Sequence, residues 1–182
     1  MATTTHLITA QEFSQIPDHP SGRHHELRHG QVILMSAPPR YHADLQDNIY
    51  DGLKRRCGNR YCIRTEMVCR PLPEYEVWSP DVGLTTKERW NATRNDDWLA
   101  GSPEIAIEVL SPSNTKREME DRRATLFAGG CQQFWTVDAR SRSVTVSTPD
   151  GAHQTYTSTD SIPLEPYASL PFPVAEIFGA DV

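Results

Sequence analysis

The sequence predicts an α/β fold: a mixed sheet flanked by helices, with an additional hairpin near the C-terminus. Three observations carry this. Short apolar or alternating runs rich in strand formers recur near residues 25–36, 61–70, 78–84, 104–110 and 133–138. From His42 to Cys57 the apolar positions Leu45, Ile49, Leu53 and Cys57 recur every four residues among Asp44, Asp47, Asp51, Lys54 and Arg55, the pattern of an amphipathic helix. The resulting order of strand, helix, several strands, helix and strand suits a sheet with helices packed against it.

Taken in order, Thr9 and Glu12 have capping-box spacing, so a short helix opens the chain and ends in Pro17 to Gly22. HELRHGQVILMS, residues 25–36, reads as a hairpin turning at His29-Gly30, where glycine relieves the positive dihedral of a tight turn. After the helix ending at Cys57, Tyr61 to Arg70 alternates as a strand, and Pro71 to Glu74 turns the chain toward another strand around Trp78 to Leu84. Lys87 to Gly101 is polar and reads as a loop with a helical turn near Trp98. Residues 104–110 form the next strand, and Thr115 and Glu118 repeat the capping-box spacing before a helix that Gly129-Gly130 stops. Gln133 to Asp138 is a further strand. Ser143 to Ser147 and Gln154 to Thr157 make a second hairpin through Pro149-Asp150-Gly151, and the proline-containing tail caps the fold with Ile177 and Phe178.

A length of 182 residues with 37% hydrophobic content fits a single domain over 1–182. No run reaches the roughly eighteen apolar residues of a membrane span, and MATTTHLITAQEF lacks the basic start and apolar middle of a signal peptide, so a cytoplasmic protein without membrane partners is expected. Cys57, Cys62, Cys69 and Cys131 show no paired CxxC spacing, and the histidines supply no HxxxH or HExxH; reduced structural thiols fit better than a zinc site. A net charge of -6 argues against a general nucleic-acid coat. It is compatible with a nuclease, because a metal-binding carboxylate cluster is itself acidic.

The chemistry concentrates in two acids. Glu108 lies in the apolar strand EIAIEVL, where desolvating a carboxylate costs several kcal/mol unless a positive partner or a metal meets it. Ile105, Ile107 and Val109 point to one face, and Glu104, Ala106, Glu108 and Leu110 to the other. Asp81 follows Pro80 at the start of another strand; if the two strands are neighbours, the carboxylates approach within a few ångströms. Read singly, Pro-Asp is a turn cap and a strand Glu an edge or salt-bridged residue. Read together, they repel unless a divalent cation neutralises both. Mg2+ suits such hard oxygen ligands, with Mn2+ as a substitute and the Val109 carbonyl completing the shell. The chemistry that follows is phosphodiester hydrolysis by a metal-activated water.

HELRHGQVILMS followed by His42, then SPDVGL, EIAIEVLSPSNT and the pattern Gly130, Phe134-Trp135, Val137-Asp138 resembles the Uma family, described as putative restriction endonucleases, a branch of the PD-(D/E)xK nuclease-like superfamily. The resemblance spans roughly residues 6–178. It implies a restriction-endonuclease-like core, magnesium as cofactor and DNA as partner. Asp81 resembles the acid of the family's Pro-Asp-Val element and Glu108 that of its Glu-Val-Leu-Ser element; Glu26 matches the early Glu of the hairpin and His42 the His opening the next helix. The superfamily's Lys two residues after the second acid is replaced here by Leu110. In the Uma family that Lys stands on the following helix, at the position of Arg122 in this chain.

Helical geometry lets either Arg122 or Arg123 reach inward, since both flank the stripe marked by Met119 and Leu126. An arginine keeps the charge and binds carboxylate or phosphate bidentately, yet it does not act as a general base. The first expectation is therefore a Mg2+-dependent endonuclease: Asp81, Glu108 and the Val109 carbonyl hold the metal, Glu26 assists it or positions water, and Arg122 binds the scissile phosphate. The alternative is a catalytically degenerate module that keeps the fold and binds DNA or a protein partner without cutting. A carboxylate-pair glycosidase fits the acids but lacks an aromatic sugar platform. Ser111 and Ser113 lack a GxSxG elbow and read as turn formers. Lys54-Arg55-Arg56 suits a helix C-terminus as well as a phosphate, and Trp90 and Trp98 suit a packed loop as well as base stacking. A homodimer would let two sites act on two strands.

Overall fold

The computed structural model describes residues 6–17, 19–94 and 97–179. Its elements in chain order are α1 (Ala10–Phe13), β1 (His25–Arg28), β2 (Gln31–Leu34), α2 (Arg40–Cys57), β3 (Tyr61–Thr65), β4 (Cys69–Arg70), β5 (Val82–Thr86), α3 (Lys87–Ala92), β6 (Leu99–Ala100), β7 (Ile105–Val109), α4 (Lys116–Ala128), β8 (Gln133–Asp138), β9 (Ser143–Ser147), β10 (His153–Thr157), β11 (Ser161–Ile162), β12 (Phe172–Pro173) and α5 (Ala175–Phe178). Six strands form one mixed sheet in the order β10-β9-β8-β7-β5-β3. Only β7 and β8 run parallel, joined through α4 as a strand-helix-strand crossover; the other neighbours are antiparallel.

The strand alternation read from the sequence sorts the core. Ile105, Ile107 and Val109 of β7 join Leu45, Ile49 and Leu53 of α2 and Phe172 and Ile177 of the tail on one face. Ala106 and Phe134 join Leu126 of α4 and Trp78 on the other. The closeness of tail and α2 depends on Gly52, where an added Cβ would collide with the ring of Phe172. A third cluster, Ala10, Phe13, Leu27 and Val77, seats α1 on the β1–β2 hairpin. The hairpin turns as expected, with positive φ of 49° at His29 and 72° at Gly30.

Several boundaries differ from the sequence reading. Tyr61 to Arg70 is not one strand: Glu66 takes a φ of 47° and its amide donates to the Asp81 carbonyl, which splits the run into β3 and β4. Trp78 to Leu84 also divides, because Val77 exchanges backbone bonds with Leu27 and Trp78 with Cys69 before β5 begins at Val82. Within the expected loop from Lys87 to Gly101, Lys87–Ala92 is helical. Thr86 caps it by accepting from the Arg89 amide, a side-chain cap that a polar run concealed. Near Trp98 the chain forms β6, parallel to β4, in place of a helical turn.

Candidate active site

Strand pairing brings the two expected acids together. In the β5–β7 register Val82 opposes Ile107, so one step further Asp81 stands opposite Glu108. The Val109 amide donates to Asp81 Oδ2 at 2.7 Å and fixes this junction. Glu26 arrives from outside the central sheet. Because β1 bridges to Val77, the Glu26 side chain lies beside the next turn, and Ser79 N–H donates to Glu26 Oε1 at 2.8 Å.

Arg122 settles the choice between the two helix arginines. It is buried, at 4% exposure, one turn from Glu118 on α4. Its Nε donates to Glu108 Oε1 at 2.5 Å, its two terminal nitrogens grip both oxygens of Glu26 at 2.9 Å, and one of them also donates to the Ser79 carbonyl at 3.0 Å. Arg28, two residues along β1 and on the same strand face as Glu26, donates to Glu26 Oε2 at 2.7 Å and to Glu118 at 2.6 Å. Both guanidiniums lie over Trp78, with centroid distances of 5.1 Å for Arg122 and 5.5 Å for Arg28. Trp78 is held in turn by donation from Nε1 to Glu76 at 2.6 Å.

These contacts set the ionisation of the acids. Burial pushes Glu26 upward, but the charges and hydrogen bonds of Arg122, with Arg28 and the Ser79 amide, overcome it and hold the carboxyl at about 2. For Glu108 burial dominates. It raises the carboxyl to about 8 against the pull of Arg122, and the neighbouring charges of Asp81 and Glu26 add to the rise. Arg122 is raised well above its ordinary value: burial opposes its charge, but Glu108 and Glu26 outweigh that, so it stays a cation and serves no proton transfer.

Asp81 is held differently. Gln46 Nε2 donates to Oδ1 at 3.1 Å, and His42 Nε2 lies 3.1 Å from Oδ2 and 3.2 Å from the Val109 carbonyl. His42 and Gln46 are one turn apart on the inner face of α2. Burial opposes a charge on His42, but Asp81 and the Val109 carbonyl raise its pKa on balance. Its Nδ1 is buried without a partner among the described residues.

Two hard oxygens, from Asp81 and Val109, thus converge on one point, now taken by the His42 ring nitrogen. Glu108 stands across from Asp81, and its Oε2 takes no hydrogen bond from a described residue. Among the described residues no three His, Cys, Asp or Glu side chains gather as a metal cluster. A cation here would therefore rest on two carboxylates and a main-chain carbonyl, a donor set that fits a hard divalent ion such as Mg2+.

Of the residues singled out from sequence, Glu26, Asp81, Glu108, Val109, Arg122 and His42 come together. Glu26 was expected to assist the metal or position water, and Arg122 to hold the scissile phosphate. Here both Glu26 oxygens are engaged by donors, and the Arg122 donors face carboxylates and a carbonyl. Arg28, Gln46, Ser79 and Trp78 were missed. Gln46 had a legible signal, its spacing of four from His42; the Ser79 amide had none, since a main-chain contact leaves no mark on residue type. Lys54, Arg55 and Arg56 lie away from these acids, with Arg55 and Arg56 pairing Glu176. Trp98 packs on Phe13 at 5.8 Å, and Arg64 lies over Trp90. Ser111 and Ser113 hydrogen-bond each other in a turn that Asn114 closes.

A family model described as Uma2, putative restriction endonuclease, matches residues 10–175. The chain belongs to the Uma2 family. The Uma2 chain also resembles a solved structure, a putative nuclease belonging to DUF820 from Anabaena variabilis, with a TM-score of 0.80 and 20% identity over 94% of this chain and 97% of that one. That likeness speaks for the fold. A search of curated proteins finds no match. Among the described residues, no helix of this Uma2 chain is long and apolar enough to cross a membrane.

Proposed function

We propose that this Uma2 chain is a Mg2+-dependent endonuclease that hydrolyses DNA phosphodiester bonds in the cytoplasm. The observation that carries the reading is the convergence of the Asp81 carboxylate and the Val109 carbonyl within 3.2 Å of one point, with Glu108 opposite. Asp81, Glu108 and the Val109 carbonyl would hold the cation. When bound, such an ion lowers the pKa of a water and offsets charge on a phosphate. The protein's own groups supply orientation. The Val109 amide and Gln46 fix the Asp81 carboxylate, while Arg122 fixes Glu108 through Oε1 and leaves Oε2 without a hydrogen bond from a described residue. Glu26, held by both arginines, is a positioning residue for Arg122. DNA as substrate is supported by the family, and a two-fold assembly acting on both strands is part of the same reading.

One observation favours a second reading, a degenerate module that binds DNA or a protein without cutting. Arg122 cannot lose its proton, and its Nε and both terminal nitrogens are already engaged. Calorimetric titration with Mn2+ on wild type and Asp81→Ala separates the two. Binding lost in the variant, followed by Mn2+-dependent plasmid nicking, supports the nuclease; binding without nicking supports the module; equal heats in both proteins sink the cation site.

A further inference from the structure

The sheet carries a polar track away from Glu108. In register, Glu108 of β7 pairs with Thr136 of β8, Thr136 with Thr145 of β9, and Thr145 with Thr155 of β10. Directly paired residues share a face, so these four form one row, crossing about 14 Å at the usual ~4.8 Å strand spacing. The row becomes more exposed outward: Glu108 is buried, Thr136 and Thr145 half-buried, Thr155 exposed. On the reverse face the same strands place Trp135, Val137 and Val144 in the core beneath the C-terminal tail. One face of β8–β10 is therefore sealed and the other open.

The open face is walled on one side by α4. Between them runs a cleft of about 350 Å³, with Lys116, Met119, Glu120 and Arg123 on the helix wall and Phe134, Thr136, Thr145 and Ser147 on its floor. Lys116 is 91% exposed and reaches Glu120 only at 3.8 Å; Arg123 makes no ion pair with a described residue. The acidic total of the chain, -6, makes this local cationic edge beside hydroxyls the more telling. Hydroxyls and basic side chains together are the groups that contact phosphate and sugar oxygens without reading sequence. We propose that this cleft and threonine row seat the sugar-phosphate backbone of a DNA strand running from the Glu108 site toward β10. The inference rests on the nuclease-fold reading above and names the surface by which the substrate is held. Lys116 and Arg123 supply the positive charge, offset in part by Glu120, and the cleft floor adjoins Glu108 through its pairing with Thr136.

The test is fluorescence anisotropy of a short fluorescein-labelled DNA duplex over a series of salt concentrations. It uses the full chain, Lys116→Glu/Arg123→Glu, and a control of equal charge change, Lys54→Glu/Lys87→Glu, placed by the opposite edge of the sheet. The cleft variant is expected to bind ~10-fold or more weakly and to lose about 2 from the salt slope, with the control close to wild type. Thermal melting confirms that each variant folds, and Arg123→Gln serves as the milder change. Equal losses in both double variants would show bulk charge at work and overturn the track. No duplex binding by wild type, with the Asp81-dependent Mn2+ heat intact, would overturn the track and leave the cation site standing. Conversion of a dimer to a monomer by Thr145→Glu in sedimentation would assign the face to a second copy of the chain and also overturn it.

Discussion

Glu26 and Asp81 flank the same turn, yet they are held by opposite means. Glu26, 1% exposed, is met by two guanidiniums and an amide, so every one of its oxygens faces a strong donor. Asp81, 18% exposed at its side chain, is met by an amide, a carboxamide and a histidine ring. The first arrangement cancels a charge in place with two guanidiniums; the second orients a carboxylate with an amide, a carboxamide and a histidine whose cationic form Asp81 favours. Glu108 is tied to the cationic half through Oε1 and stands opposite Asp81 in the strand register. The difference separates a charge-compensated anchor from the end at which we propose that a cation binds.

The sharpest way to break the contrast is Arg122→Met, which strands Glu26 and Glu108 without their shared cation. Loss of one partner of a buried pair costs about 3–5 kcal/mol, and a urea midpoint shift of that size is expected. Arg122→Lys keeps the charge but forfeits the bidentate grip, so its loss should be smaller; identical losses would show that geometry contributes nothing. Acid is the next lever. Glu26 is depressed from 4.5 to about 2, so its stabilisation is complete above pH 4.5 and disappears as the pH falls toward 2. At 1.36 kcal/mol per unit this amounts to about 3 kcal/mol, and Glu26→Gln should flatten that part of a stability-versus-pH curve. Asp81→Asn is expected to cost less, about 1–2 kcal/mol, while abolishing the Mn2+ heat. Gln46→Leu should be the mildest, about 1 kcal/mol, measured by the same denaturation. A larger effect at Asp81 than at Arg122 would invert the comparison.

The Asp81–Glu108 half was the more legible in sequence. Alternation placed Glu108 on the strand face away from Ile105, Ile107 and Val109, and Pro80 marked Asp81 at a strand start; the β5–β7 register then set the two acids opposite each other. The anchor half was harder to read. Glu26 looks like one polar residue in a hairpin until Val77 is seen bridging Leu27, a contact between segments fifty residues apart in sequence. Arg122 and Arg123 were equivalent by helical angle, and only the position of Glu26 and Glu108 beneath α4 distinguished them. The fold follows the same rule. Long periodic α2 and apolar β7 were evident, whereas α3 hid in a polar run and Glu66 broke β3 through a backbone angle that residue type does not announce.

The four cysteines have a practical bearing on how the molecule can be watched. All are free and buried, and burial pushes Cys57 up to about 11, Cys131 to about 12, and Cys62 and Cys69 upward as well. Thiolates are the reactive form, so the native chain offers little to alkylating dyes at neutral pH. A single cysteine introduced at exposed Thr155 would then take a fluorophore selectively on an otherwise unmodified background, turning the outer end of the threonine row into an optical reporter.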